Sequence, residues 1–297
     1  MSSIEILVPY FNRLDLLRST VLSVLGQSDP DWRLTVVDDS PGNDGTEMWL
    51  ASLGDSRVRY RHNARNLGIN RNFQQCIDLA DSELVVILGA DDVMLPDYVR
   101  TVRAAHLAFP DASIIQPGVQ VIDVDGAPTS GLVDSAKRAL YAPRVAGPTL
   151  LGGEELALSL LRGNWLYFPS LTWRTQAARA AGFREGLHVV QDLALVLDLV
   201  IRGERLLVDP TVCFQYRRHR TSVSAWRAAD GSRFVEEKRF FAGEAARMRC
   251  HGWHRAANAA SHHVSSRINA LTMLPGAVWA RDRTGIRNLA RHAFSRA

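Results

Sequence analysis

Short runs of apolar, β-branched residues alternate with helical patterns through the first third of the chain, and no other feature restricts the fold as much. The runs are Ile4-Glu-Ile-Leu-Val-Pro9, Arg33-Leu-Thr-Val-Val-Asp38 and Leu84-Val-Val-Ile-Leu88, each bounded by turn residues. Helical patterns separate them, from about Arg13 to Gln27 and from about Asn70 to Ala80, and Arg57 to Arg61 reads as a further short strand. Strands that lack polar alternation are buried on both faces, and strands joined through helices run parallel. The expected fold class is therefore α/β: a Rossmann-like, mainly parallel sheet flanked by helices. Such sheets collect ligands at the carboxyl ends of their strands.

Those ends carry Pro9-Tyr10-Phe11-Asn12-Arg13, then Asp38-Asp39-Ser40, then Gly89-Ala90-Asp91-Asp92. Neither G-x-G-x-x-G nor G-x-x-x-x-G-K-[ST] occurs, which argues against a dinucleotide oxidoreductase and a P-loop NTPase. Acidic residues in place of phosphate-binding glycines point to a divalent cation. Mg²⁺ and Mn²⁺ prefer carboxylate and phosphate oxygens and typically take one or two protein carboxylates when a diphosphate supplies the rest. Alone, Asp39 reads equally well as an Asx-turn, and Asp91 with Asp92 as a helix cap.

The second half is more mixed. Residues 112 to 124 suggest two short strands around Gly118, followed by a long Gly-, Pro- and Ser-rich loop from about Asp125 to Gly153, a length typical of functional flaps or disordered segments. Glu154 to Arg162 reads as a helix and Trp165 to Trp173 as a strand. Trp165, Tyr167 and Trp173 would then share one face, as a sugar-stacking surface or as core. Val190 to Arg202 is an apolar helix carrying Asp192 and Asp198; six residues apart, these do not share a face closely, and Asp198 reads as structural. Two strands, Leu206 to Val208 and Val212 to Tyr216, lead into the basic run Arg217-Arg218-His219-Arg220, whose arginines could clamp phosphates. From Phe234 the pattern is helical, with a break expected at Pro275-Gly276.

The net charge of +4 is unevenly placed. Residues 226 to 297 hold 13 Lys and Arg against 5 Asp and Glu, while residues 1 to 225 hold 22 against 26. No nucleic-acid recognition motif accompanies the basic residues, so no nucleic-acid partner is expected. A solvated helical face, a homo-oligomer contact or an anionic membrane surface fits such a tail. Arg281, Arg283, Arg287 and Arg291 stand at roughly helical spacing, with Trp279, Ile286, Leu289 and Phe294 as apolar counterparts. No apolar run approaches the roughly 18 residues of a membrane span, and the chain starts without a basic leader. The expected location is cytoplasmic, with peripheral contact at the inner membrane face open to the tail. Cys76, Cys213 and Cys250 lack metal-ligand spacing and read as reduced thiols.

Six motifs in order, Val8-Pro-Tyr-Phe-Asn, Val36-Val-Asp-Asp-Ser, Asn66-Leu-Gly, Leu88-Gly-Ala-Asp-Asp, Gln191-Asp and Arg218-His-x-x-Ser-x-Ser, resemble the family 2 glycosyltransferases of the GT-A type over about residues 4 to 224. The resemblance implies a GT-A fold with a C-terminal helical extension, divided as residues 1–125 for the nucleotide-sugar, 126–225 for the acceptor and catalysis, and 226–297 as the basic extension. It implies an inverting transfer from a nucleoside diphosphate sugar, UDP by family habit and GDP or dTDP otherwise, to the hydroxyl of a saccharide, lipid-linked or small-molecule acceptor. Pro9, Tyr10 and Phe11 would pack on the base and Asp39 would bond to it. Asn66, Arg71, Ala90, Asp91 and Arg218 would complete the donor site. Asp91, Asp92 and His219 would hold Mn²⁺ or Mg²⁺, and Asp192 would be the general base. Trp165, Tyr167 and Gln191 would meet the acceptor. Two positions depart from the family pattern: Gly89 replaces the first acid of the D-x-D metal motif, and Gln191 the Glu of an E-D pair.

Two rival readings remain at the level of sequence. A nucleotidyltransferase can share the sheet and acidic ligands, although Pro9 to Arg13 lacks the Gly- and basic-rich loop those enzymes present to a triphosphate. A degenerate member would bind nucleotide or polymer without turnover.

Overall fold

The computed structural model describes residues 3–42, 44–129, 140–218, 232–279 and 281–294. Its first half is β1 (Ile4–Tyr10), α1 (Leu14–Leu25), β2 (Trp32–Asp38), α2 (Thr46–Ser52), β3 (Val58–His62), α3 (Ile69–Leu79) and β4 (Leu84–Ile87). The four strands pair in parallel in the order β3-β2-β1-β4, with Ile4 opposite both Trp32 and Leu84. Side chains alternate across β1: Ile6, Val8 and Tyr10 enter one core cluster and Leu7 the other, so both faces of the sheet are dry. The carboxyl ends of these strands form one edge, as the alternation of strands and helices requires.

The second half contains β5 (Val93–Met94), α4 (Tyr98–Ala108), β6 (Ala112–Ile122), β7 (Thr149–Leu151), α5 (Gly153–Arg162), β8 (Thr172–Arg174), α6 (Thr175–Ala181), α7 (Gln191–Ile201) and β9 (Arg205–Arg217). Strand β8 runs antiparallel between β4 and β6, β6 pairs in parallel with β9, and β5 and β7 add to β9 antiparallel. Thus β6 and β9 end on the same edge as β1, β2 and β4.

Three expectations are corrected here. The two runs around Gly118 form one strand, as do the two within 205–217, because the chains pair continuously through register shifts at Gly118. A Cβ at Gly118 would lie 2.5 Å from the Pro210 carbonyl oxygen, so glycine permits the close approach. Residues 165–173 are not a strand. Phe168–Ser170 is a 3₁₀ turn containing Pro169, which cannot donate to a ladder, and only Thr172–Arg174 pairs.

The C-terminal helices are α8 (Ser232–Cys250), α9 (His254–His262), α10 (Val264–Trp279) and α11 (Arg283–Phe294). Phe240, Phe241 and Met248 of α8, with Ala256, Ala257 and Ala260 of α9, share one apolar cluster with α5, α7 and the sheet. An ion network docks α8 beside α7: Arg184 binds Asp198 with both forks, at 2.7 and 2.6 Å, and Arg247 reaches Asp198 at 2.6 Å and Glu244 at 2.9 Å. Helices α10 and α11 pack on a smaller cluster of Phe234, Ala270, Leu289 and Ala293. The expected break at Pro275 does not occur, and α10 runs through it. The residue is exposed there, as is Leu271 one turn earlier, so water can satisfy the carbonyl that proline leaves unbonded. No helix among the described residues is long and apolar enough to cross a membrane.

Candidate active site

Strand β1 ends with Pro9, paired opposite Val37, and Tyr10, and its end divides the two aromatic residues of the motif. Tyr10 is fully buried and its hydroxyl donates to Asp44, whereas Phe11 is 55% exposed at the sheet edge. Only Phe11 offers an open ring face. Asn12 and Arg13 follow in the left-handed region, at φ 51° and 83°, a conformation that costs a non-glycine residue energy and aims this loop.

After β2, Asp38 accepts the Ser40 amide at 2.8 Å and the Tyr60 hydroxyl at 2.7 Å. Asp39 is buried, and its carboxylate organises the next loop. Oδ1 accepts from Asn63 Nδ2 at 2.9 Å and the Leu67 amide at 2.8 Å, and Oδ2 accepts the Gly68 amide at 2.9 Å. Asn66, exposed, donates to the Asp39 carbonyl at 2.8 Å. The Asp-Asp-Ser and Asn-Leu-Gly motifs are thus two sides of one hydrogen-bonded turn. Oδ2 keeps acceptor capacity beyond its single donor. Arg71 is exposed on the first turn of α3, 3.7 Å from Glu185.

Beyond β4, Ala90 and Asp91 are partly exposed and Asp92 is buried. Asp92 Oδ1 accepts the Arg217 amide at 2.8 Å, and the Arg217 side chain donates to the carbonyls of Asp91, Asp123 and Val124. Arg217 is therefore turned inward as a brace, and in this arrangement its guanidinium is committed to main-chain carbonyls rather than to a phosphate. Burial, reinforced by the adjacent Asp91 charge, pushes the Asp92 carboxyl well above the usual carboxylate range, and Arg217 restrains the rise. The position of Gly89 also has a cause: a Cβ there would collide with Asp92 Oδ2. Arg218 is exposed and its amide donates to the Ile122 carbonyl at 2.8 Å. His219 lies outside the described residues.

Asp192 occupies the first turn of α7, and its Oδ2 accepts from Asn164 Nδ2 at 3.3 Å. Burial pushes its carboxyl above the usual value; the first-turn amides, Asn164 and the Arg233 cation act the other way. Gln191 is 7% exposed, with its Oε1 unpaired among the described residues. Asn70 Nδ2, in the first turn of α3, holds the loop before α7 through the carbonyls of Arg184 and Leu187 at 3.1 and 2.8 Å. This tie fixes the loop before α7 to the start of α3, directly after the turn that Asp39 holds through Leu67 and Gly68.

The aromatic trio does not share a face. Trp165 and Trp173 pack into one apolar cluster and Tyr167 into the other, where its ring lies 5.1 Å from Tyr216. Asn164, Arg217 and Arg233 were not singled out as partners of Asp192 and Asp92 by sequence, since contacts between residues so far apart leave no local signature.

Residues 5–141 match the family model described as Glycosyl transferase family 2. TuaG, a putative teichuronic acid biosynthesis glycosyltransferase of Bacillus subtilis, is 23% identical over 78% of this chain and 86% of its own length. The succinoglycan biosynthesis protein ExoO of Rhizobium meliloti is 26% identical over 74% of this chain and 62% of its own. The crystal structure of S. aureus TarS in complex with UDP-GlcNAc superposes with a TM-score of 0.60 at 12% identity, covering 98% of this chain and 90% of that one. Over residues 5–141 the chain accordingly matches the family 2 glycosyltransferases, and over nearly its whole length it shares the GT-A fold of TarS.

Proposed function

We propose that this enzyme transfers a sugar from a UDP-sugar to a saccharide hydroxyl with inversion at the anomeric carbon. The observation that carries the reading is the Asp91–Asp92 pair at the strand-end edge together with a further carboxylate, Asp192, raised by burial at the start of α7, whose preceding loop is tied to α3 through Asn70. The UDP-GlcNAc bound by TarS and the polysaccharide pathways named for TuaG and ExoO support the donor and acceptor classes. Residues 1–125 would form the donor half, residues 126–225 the acceptor and catalytic half, and residues 226–297 the helical extension.

The acceptor oxygen attacks the anomeric carbon, the carbon–oxygen bond to the diphosphate breaks, and its electron pair leaves with the diphosphate. Asp192 Oδ takes the acceptor proton, and Asn164 with the α7 N-terminus orients that carboxylate. A carboxylate base held above its ordinary range is better matched to this task. Phe11 offers its face to the base, and Asp39 shapes the loop that closes that side. The pair at Asp91 and Asp92 fits a divalent cation: burial and the neighbouring Asp91 charge raise the proton affinity of Asp92, and a hard cation offsets that repulsion. When bound, Mn²⁺ or Mg²⁺ would stabilise the charge on the leaving diphosphate. Asp91 is the more open ligand of the two.

Two variants test the reading by UDP binding and UDP release. Asp91→Asn is expected to abolish Mn²⁺-dependent stabilisation by UDP. Asp192→Asn is expected to keep UDP binding and to lose about 10²- to 10⁴-fold in turnover, the usual worth of a general base. Normal turnover in Asp192→Asn would sink the assignment.

The extension supports a second contact. Val264, Ile268, Leu271 and Val278 of α10 are all exposed, at successive spacings of 4, 3 and 7 residues, Trp279 is 91% exposed, and Arg281, Arg283, Arg287 and Arg291 are exposed from the turn after α10 through α11. An apolar stripe flanked by arginines suits an anionic lipid surface at the inner membrane face.

A further inference from the structure

The turn before α7 is gripped by a helix outside the segment that matches the family model. Glu236 Oε1, on α8, accepts the amides of His188 at 2.9 Å, Val189 at 2.7 Å and Val190 at 3.2 Å. Three consecutive N–H groups converging on one carboxylate oxygen make charge-assisted bonds, stronger than neutral ones. Val190 is the N-cap of α7 and no side chain caps that helix from within. Glu236 therefore supplies, from 46 residues away, an anion at the end where the helix dipole favours one. Asn70 holds the other end of the same loop through the Leu187 carbonyl.

We propose that α8 is a working part of the transfer site, with Glu236 a positioning residue that fixes the start of α7 and hence the carboxylate of Asp192. The inference rests on Asp192 as the base. One turn earlier on α8, Arg233 is itself held by Glu237 at 2.6 Å, and its cation favours the ionised form of Asp192. The same helix thus places the base and helps to keep it charged. The docking network of Arg184, Asp198, Glu244 and Arg247 gives α8 the rigidity such a role needs.

The test compares Glu236→Ala, Glu236→Gln and Asp192→Asn in the full chain. Backbone hydrogen exchange over residues 184–193 reports the grip without any chemistry, and kinetics report its effect. In Glu236→Ala, exchange of the 188–190 amides should rise at least roughly tenfold, as expected for loss of charged hydrogen bonds. Its kcat should fall about 10- to 100-fold with the donor KM held within about twofold, the signature of a misplaced base. Glu236→Gln keeps an acceptor oxygen and should recover most of both. Unchanged exchange in Glu236→Ala overturns the inference. So does raised exchange with full kcat, provided Asp192→Asn is inactive. Full turnover in Asp192→Asn would instead overturn the base reading, and the exchange data keep the two failures apart.

Discussion

Gly89 shows why a departure from a family pattern need not be a loss. Asp92 Oδ2 occupies the space a Cβ would need, and Asp92 cannot swing away freely because its other oxygen holds the Arg217 amide. Restoring an acidic residue here should therefore harm the site. Gly89→Ala is expected to cost about 1–3 kcal/mol by overpacking, and Gly89→Asp more, since it adds a third carboxylate beside two that already repel. Thermal melts check this, and Asp92→Ala should rescue part of the loss in the double variant, because it removes the colliding atom. An equal melting temperature for wild type and Gly89→Ala would mean that Asp92 is not held as described. The same scale limits what sequence could say about Tyr10 and Phe11: adjacent aromatics in one motif face opposite ways at a strand end, and pairing with Asp44, 34 residues on, selects which is buried.

Elements in the first half were legible because each satisfies a local rule. Strands β1, β2 and β4 are uninterrupted apolar runs and α1 and α3 carry helical periodicity, so their boundaries fell within a few residues of the structure. The second half was harder because its pairing is non-local: β8 has three residues, and β6 and β9 are continuous only through their mutual register. Of the proposed site, Asp91, Asp92 and Asp192 were singled out from sequence, but their partners Arg217, Asn164 and Arg233 come from other elements. The packing of α8, α10 and α11 was equally invisible, and it buries a polar group of functional size. Ser266 donates to Glu237 and lies 2.7 Å from His292 Nε2, while the His263 ring stacks on Phe241 and lies 5.2 Å from His292. Burial pushes His292 down to about 4, with Glu237 opposing and His263 and Arg267 assisting, and burial lowers His263 too. A depressed histidine is neutral in the fold and takes its proton in the unfolded chain, so stability is full above about pH 6.5 and is lost as pH falls toward 4. The melting temperature should therefore drop between pH 7.5 and 5, and His292→Phe, which keeps a ring against Phe234, should flatten that slope. An unaltered slope in His292→Phe would assign the acid sensitivity elsewhere.

Charge separates the chain into a slightly acidic part, residues 1–225, and a basic helical end, residues 226–297. The 226–297 region has 13 basic residues against 5 acidic ones, and its arginines on α11 fall at Arg283, Arg287 and Arg291, one helical stripe ending near the 70% exposed Phe294. On α10 the large exposed residues are instead apolar and end in Trp279. A dimer contact would bury the apolar stripe but leave like-charged arginines of two copies near one another, whereas an anionic bilayer satisfies both features: the aliphatic and indole groups enter the interface and the arginines meet lipid phosphates. Each basic residue near such a surface contributes about 1 kcal/mol, so four exposed arginines suffice for reversible binding that salt weakens. The chain is expected to co-sediment with vesicles rich in phosphatidylglycerol and to stay free of phosphatidylcholine vesicles. Ile268→Glu with Val278→Glu, both on the exposed side of α10, should abolish co-sedimentation without lowering the melting temperature. A concentration-dependent dimer that the same pair of substitutions dissolves, together with no vesicle binding, would give the surface to a second copy and overturn the membrane reading.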